Sequence, residues 1–394
     1  MKVSFDRETL LSALIPAAGI VPGRNMSTGT DGVLFECTSE DQSSCILSVY
    51  DLEKGMRTKI EATVYEGGSF ILNTQKILQI VRAMPEGNVM IDVSEDDLVT
   101  TVSVGTRAFR ISALKGENFP HLPLLSGDRN YTLAQHEFRD VVGRTVYAAS
   151  QHDPKPQCNG VYFNIEGGKM TLVALDGYRL AINEIDAPAD SEDAKVLVPS
   201  KILGELMKLV RDSEDEITIS LARKHIMFKM DESVYFARII DAEYVKYMQM
   251  LPKTHKTEVF VGKEEFLEAL DSALLITEDK LGGNYRTYVK MVFRDKKIEI
   301  SAESSSGSFN EDVPAAKNGE DLVIGFHCRY MIEALRNLPE DVVTVRIRMN
   351  TVESGAVIED AKGSGFIDAT ELENAGEDGL YKTLFYVMPR RMNK

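Results

Sequence analysis

Apolar and polar positions along this chain follow two periods, and the periods alternate in a fixed order. In one kind of stretch apolar residues recur three and four positions apart, as one face of a helix requires. In the other, apolar, β-branched and aromatic residues alternate with polar ones between Gly, Asp and Asn turns, which predicts strands. A helix, turn residues and then alternating strands occur together three times. The copies are QKILQIVRAMPEGNVMIDVSEDDLVTTVSV from Gln75, SKILGELMKLVRDSEDEITISLARKHIMFKM from Ser200 and RYMIEALRNLPEDVVTVRIRMNTVESGAVIED from Arg329. The first and third even share their break, MPEG against LPED. Copies lie about 125 residues apart, far beyond the period of a solenoid, so whole domains repeat.

Another helix-then-strands segment precedes each copy. These are VSFDRETLLSALIPAAGIVP with GVLFECTS and SCILSVYD, YTLAQHEFRDVVGRTVYAAS with GVYFNIEG, KMTLVALD and YRLAINEI, and EVFVGKEEFLEALDSALLIT with YVKMVFRD and KIEISAES. Each domain therefore reads as βαβββ twice, an α+β fold, and the chain as six such units. Pro16, inside the first helical pattern, is expected to kink or shorten that helix. Two extended joints, GENFPHLPLL at 116–125 and DAEYVKYMQMLP at 241–252, place the domains at 1–125, 126–253 and 254–394. Antiparallel sheets bury one face and wet the other. Free sheet edges invite pairing between subunits.

The 394 residues are 43% apolar and 27% charged, ordinary for a soluble globular protein. No apolar run approaches the ~18 residues of a membrane span, and the start Met1-Lys2-Val3-Ser4-Phe5 reads as a strand rather than a signal peptide. The expected location is the cytoplasm. Cys37, Cys45, Cys158 and Cys328 form no CxxC pair and no zinc spacing. Cys37 and Cys45 could face each other across a hairpin, and in a reducing compartment they stay thiols. No metal or cofactor is expected.

A search for chemistry finds little. Gly282-Gly283 and Gly363-Ser364-Gly365 lack the context of a nucleotide loop, and Ser364 does not fit a nucleophile elbow. The acidic run Ser94-Glu95-Asp96-Asp97 falls on a predicted hairpin turn. A net charge of −16 argues against a conventional nucleic-acid binder. One feature runs the other way: the second helix of each domain is basic. Residues 73–84 carry Lys76 and Arg82 and no acid; 199–211 carry Lys201, Lys208 and Arg211 against Glu205; 327–338 carry Arg329 and Arg336 against Glu333. These charges lie opposite the apolar stripe, for example Leu203, Leu206, Met207 and Val210, and should point to solvent. A solvated helix face explains any one of them; three together suggest a weak phosphate surface that does not read sequence.

Along its whole length the chain resembles the bacterial DNA sliding clamp family. The signals are MKVSFDRETLL, GENFPHLP, ALDGYRLA at 174–181, VLVPSKILGELMKLV at 196–210, IGFHCRYMIEALRNL at 324–338 and YVMPRRMNK, in that order on the threefold repeat. The resemblance implies three similar domains per subunit, helices inside and antiparallel sheets outside, and two subunits closing head to tail into a ring around duplex DNA. It implies DNA replication as the setting, no catalytic activity, a clamp loader that uses ATP, and tethering of the replicative polymerase and repair proteins.

The resemblance also implies sites. A partner-peptide groove matches Leu175, Gly177, Tyr178, Arg179, Leu180, Val245, Met250, Tyr330, Met388, Pro389, Arg390 and Arg391. Its peptides present a Gln followed by apolar and aromatic residues. DNA-facing positions match Arg24, Lys76, Arg82, His152, Lys201, Lys208, Arg329 and Arg336. The subunit contact matches Phe109 and Ile111 against Leu275 and Ile276. Tyr178 stands where His is common, Val245 where Pro is common and Gln249 where Arg can occur, and the tail runs on to Asn393-Lys394, so peptide preference is expected to shift. Core packing also explains Tyr178, Leu180 and Met388. The residues alone leave open a hydrolase or transferase on repeated α+β domains, which would need a convergent polar cluster, and an acidic scaffold that never meets DNA.

Overall fold

The order strand, helix, three strands recurs six times in the computed structural model, which describes residues 1–21, 29–38, 40–123, 126–277, 288–305, 307–362 and 382–392. The first unit is Lys2–Asp6, helix α1 (Arg7–Ile20), then Gly32–Cys37, Ser44–Tyr50 and Lys54–Glu61. The other five are built around α2 (Thr74–Ala83), α3 (Gln135–Val146), α4 (Ser200–Leu206), α5 (Lys263–Thr277) and α6 (Cys328–Arg336). Every strand pairing is antiparallel. Arg24, Gly282-Gly283, the stretch 363–379 and Asn393-Lys394 lie outside the described residues.

Two of the helices show how local sequence sets their ends. Asp6 caps α1 by accepting from the Thr9 backbone N–H at 3.0 Å, and Asn73 caps α2 by accepting from Lys76 N–H at 2.9 Å. At the far end of α2 the orphan carbonyls find side chains: Arg7 donates to Val81 and Arg82, and Arg107 to Ala83. Pro16 does not shorten α1, which continues to Ile20. Proline removes a single N–H donor, and buried Leu10, Leu14, Ala17 and Ile20 hold the helix on its sheet across that gap. By contrast α4 stops at Leu206, sooner than the apolar spacing predicts; turns carry the chain on, with Val210 N–H still reaching Leu206 O at 2.9 Å. The acidic run 94–97 forms the turn between Asn88–Val93 and Val99–Val104, where Ser94 N–H meets Val99 O at 3.1 Å.

The chain groups into two compact units, Met1–Arg139 with Lys201–Ile239, and Asp140–Ser200 with Ile240–Lys394. This division passes through the second of the three expected segments. The first unit holds a five-stranded and a nine-stranded sheet; the second holds thirteen strands in one order. In the first unit Lys54–Glu61 pairs with Ser233–Arg238, tied by Thr58 and Ser233 hydroxyls at 2.8 Å. In the second, Arg179–Asp186 pairs with Lys382–Val387, tied by Thr383 donating to Asn183 at 2.7 Å. Both junctions follow one rule: the last strand of one domain's first βαβββ unit pairs with the last strand of the next domain's second unit. Two strands of these kinds remain. Among the described residues, Arg107–Ser112 ends the five-stranded sheet, and residues 307–312 of Gly307–Gly319 pair with Lys297–Ser304 alone.

Candidate functional site

In the second unit, a cluster of buried apolar side chains makes a floor. Leu175 and Leu180, paired across the hairpin of Lys169–Leu175 and Arg179–Asp186, are buried with Ile182, Leu251 and Tyr386. Val245, Tyr244, Tyr247 and Met388 pack over this cluster while staying half-buried. Tyr244 stacks on Tyr162 at 4.5 Å, and its hydroxyl donates to Val173 O at 3.1 Å. Four residues expected in one groove, Leu175, Leu180, Val245 and Met388, are thus brought together. Met250 is exposed, on the turn that follows Tyr247–Gln249, while its neighbour Leu251 enters the floor.

The rim is aromatic. Tyr178 sits at the tip of the hairpin, 58% exposed, beside Gly177 in the left-handed region at φ 87°. Asp176 accepts the N–H groups of Tyr178 at 2.9 Å and Arg179 at 3.1 Å, which fixes the tip. The tail closes on it: Met388 N–H donates to Tyr178 O at 2.8 Å, and Pro389 and Arg390 pair with Phe326 and Gly325. From α6, Tyr330 lies 6.4 Å from the Tyr178 ring and stacks on His327 at 4.2 Å. Arg390 and Arg391 are exposed.

Arg179 is held rather than offered. Its Nε donates to Asp176 at 2.9 Å, Nη2 to Tyr147 O at 2.8 Å, and Nη1 to Glu333, while the guanidinium lies 4.5 Å from the Tyr330 ring centre. Burial works against its charge, yet Glu333 and Asp176 outweigh this and raise its pKa. Burial pushes the Tyr330 phenol up. Burial, then Arg390, Arg179 and Arg329, push His327 down, so its imidazole stays neutral near pH 7. Tyr147, Tyr162, Tyr244, Tyr247 and His327 were not singled out in the sequence, and Glu333 was named there only as the acid on the third basic helix. The pairing of 244 and 247 in the second joint was a usable signal; the others come together only through the fold.

The basic positions behave as the amphipathic pattern requires. Lys76, Arg82, His152, Lys201, Lys208, Arg329 and Arg336 are all exposed. Lys208 pairs with Glu205 at 2.9 Å and Arg336 with Asp271 at 2.8 Å. At the free edge, Phe109 is 37% exposed and Ile111 half-buried. Leu275, on the last turn of α5, is 80% exposed, with Ile276 half-buried beside it. Among the described residues no group of three His, Cys, Asp or Glu could hold a metal, and no helix is long and apolar enough to cross a membrane.

Profiles of the DNA polymerase III beta subunit match in sequence order: its N-terminal domain at 1–123, central domain at 132–246 and C-terminal domain at 248–369. The chain belongs to the bacterial DNA sliding clamp family. Beta sliding clamps from Halalkalibacterium halodurans and Pseudomonas aeruginosa are 29% and 27% identical, over 83% and 92% of this chain and 85% and 96% of theirs. Among solved structures, the sliding clamp of Pseudomonas aeruginosa bound to griselimycin superposes with a TM-score of 0.85 at 25% identity, over 100% of both chains. The Bacillus subtilis clamp shares the fold at a TM-score of 0.87 and 23% identity, again over 100% of both. Sliding clamps are non-enzymatic processivity factors of DNA replication, and this chain is one of that family.

Proposed function

We propose that two copies of this chain close head to tail into a ring around duplex DNA and tether the replicative polymerase, the clamp loader and repair proteins through the groove beside Tyr178 and Tyr330. The observation that carries the reading is the strand-pairing rule. It is satisfied twice within the chain and leaves one strand of each kind over, Arg107–Ser112 and residues 307–312. The leftover strands complement each other: RAFRIS carries Arg107 and Arg110, and GSFNED carries Glu311 and Asp312, with an aromatic on each side, Phe109 and Phe309. A heterologous contact either closes or grows into a filament. Six similar domains around two copies would close it, with the domains at 1–125, 126–253 and 254–394. Phe109, Ile111, Leu275 and Ile276 would lie in this contact.

DNA would be held by encirclement. With a net charge of −16, this protein has few basic residues to spare for gripping phosphates at physiological salt. A ring needs only enough positive lining on α2, α4 and α6 not to repel the duplex, and such contacts leave bases unread. Lys76, Arg82, Lys201, Lys208, Arg329 and Arg336 would supply it, with Arg24 and His152 as further DNA-facing positions. The site of action is the cytoplasm. The experiment loads the protein onto circular and linear duplexes with the matching loader and ATP. Retention on the circle in high salt, with loss once the circle is cut, supports the reading. Equal retention on circular and open linear DNA, falling steeply with salt on both, refutes it.

The groove would take a peptide of Gln followed by apolar and aromatic residues, its greasy end on Leu175, Leu180, Val245 and Met388. Deleting residues 388–394 removes one wall. Affinity for such a peptide should fall at least about tenfold, ~1.4 kcal/mol, while the dimer survives. Unchanged affinity would place the site elsewhere.

A further inference from the structure

We propose that the first junction, where Lys54–Glu61 pairs with Ser233–Arg238, carries a second docking surface: a repeat copy of the groove that takes an extended peptide in which acidic residues adjoin apolar ones. It is built from other residues than the groove at the second junction and stands without it.

The hydrogen bonds of the two junctions correspond. Asp51 accepts the N–H groups of Glu53 at 3.0 Å and Lys54 at 2.7 Å, as Asp176 does those of Tyr178 and Arg179. Lys54 pairs with Asp51 at 3.4 Å where Arg179 pairs with Asp176 at 2.9 Å. Arg238 N–H donates to Glu53 O at 2.7 Å where Met388 N–H donates to Tyr178 O at 2.8 Å. An apolar floor lies beside each tip. In the first, Phe236 faces Met227 across the strands, as Tyr386 faces Val357 in the second. Phe119 and Leu122 of the first joint join that floor, as Tyr244 and Val245 of the second joint do theirs.

Two side chains set the copy apart. Leu52 stands where the groove has Gly177, in the same left-handed backbone at φ 75° and with its side chain 55% exposed. A leucine there bears strain that glycine would not, and it shows apolar surface to water; an outlier of this kind at an exposed tip points to a contact. Arg238 stands where the groove has Met388. It lies two residues after Phe236 in its strand and opposite His225, so both side chains project from the face that carries the floor. Arg238 is exposed, as are Arg223 and Lys224 on the turn before His225. Burial, then Arg238 and Lys224, push the His225 pKa down, which reports how closely these cations crowd it. Among the described residues none of the three cations has a carboxylate partner, in a protein of net charge −16. Uncompensated cations beside half-buried Leu122, Ala222 and Val234 and an exposed leucine suit carboxylates next to apolar side chains. DNA phosphates would use the cations and leave the apolar surface wet, so a peptide fits both halves of the site.

The test uses the full chain and two fluorescein-labelled peptides, Asp-Asp-Leu-Ile-Phe and its neutral counterpart Asn-Asn-Leu-Ile-Phe, read by fluorescence anisotropy. Reversing Lys224→Glu and Arg238→Glu together should weaken the acidic peptide at least about tenfold and the neutral one by less than about twofold. Leu52→Gly relieves the backbone and removes the apolar side chain, and it should weaken both peptides by about threefold or more. Urea unfolding midpoints report that each variant is folded. An excess of unlabelled Gln-Leu-Ala-Leu-Phe should leave the acidic peptide in place, because that competitor belongs to the other junction. Displacement by it would mean one shared site and would overturn the proposal. Equal losses for both peptides on charge reversal, or no binding of the acidic peptide by wild type up to about 1 mM, would do the same. So would displacement of the acidic peptide by a short DNA duplex, which would make these cations a phosphate surface.

Discussion

In the proposed ring, replacing Phe109 and Leu275 together by Asp should convert the dimer to monomers. Phe109 leaves 37% of its surface open on an edge strand. For a side chain that buries roughly 200 Å², that is about 75 Å² to be covered, or ~2 kcal/mol at 25 cal/mol per Å². Leu275 is 80% exposed, and covering it contributes about 2 kcal/mol more. A closed ring has two such contacts, so the pair of side chains amounts to ~8 kcal/mol per dimer. Buried area converts poorly into affinity, so half of that, about 4 kcal/mol, is a prudent figure. It still raises the dissociation constant about a thousandfold. Burying four unpaired carboxylates in the dimer adds to the loss. Sedimentation at micromolar concentration should give twice the 43.9 kDa chain mass for the wild type and the single chain mass for the variant. A variant that stays dimeric, or a wild type that is monomeric at that concentration, refutes the reasoning.

Three further outcomes follow from the interior and the caps. Arg348 and Glu359 are both buried and form an ion pair; Glu359→Gln leaves a buried guanidinium short of its counter-charge and should cost about 3–5 kcal/mol in urea unfolding. Hydrogen bonding to Thr9 lowers the Asp6 pKa, so its contribution is present above the unfolded carboxylate range and fades as pH falls through the folded value. Asp6→Asn should keep most of the stability at pH 7 and flatten this acid limb, which a series of melts at falling pH reads. Cys37, Cys45, Cys158 and Cys328 are buried thiols outside any disulfide; an aromatic disulfide reagent should titrate all four once the protein is unfolded, and very few of them beforehand.

Much of the fold was legible in the order of the periods. A helical period followed by alternating ones, six times over, is a local property of the chain, and each βαβββ unit forms where it was read. Local rules were less secure where tertiary packing competes with them. Pro16 breaks the ladder of α1 at one N–H, but the buried stripe on either side holds the helix together. Near α4 the apolar spacing continues past Leu206, yet the hydrogen bonds shift to turns. The exposed basic faces of α2, α4 and α6 were also legible, because the apolar stripe dictates which side meets water.

The groove divides differently. Leu175, Gly177, Tyr178 and Leu180 lie within six residues of one another, so a hairpin brings them together by itself. Sequence alone fixed that much, along with the six repeats, the charge conflict and the family motifs. It did not show that Arg179 spends its donors on Asp176, Tyr147 and Glu333, a partner 154 residues away. Nor did it show which strands would be left unpaired at the sheet edge. Periodicity reports which face of an element is buried, and it holds over a few residues. Which buried face meets which, and which arginine finds which carboxylate, depends on contacts between distant segments that no local pattern encodes; only the folded chain decides them.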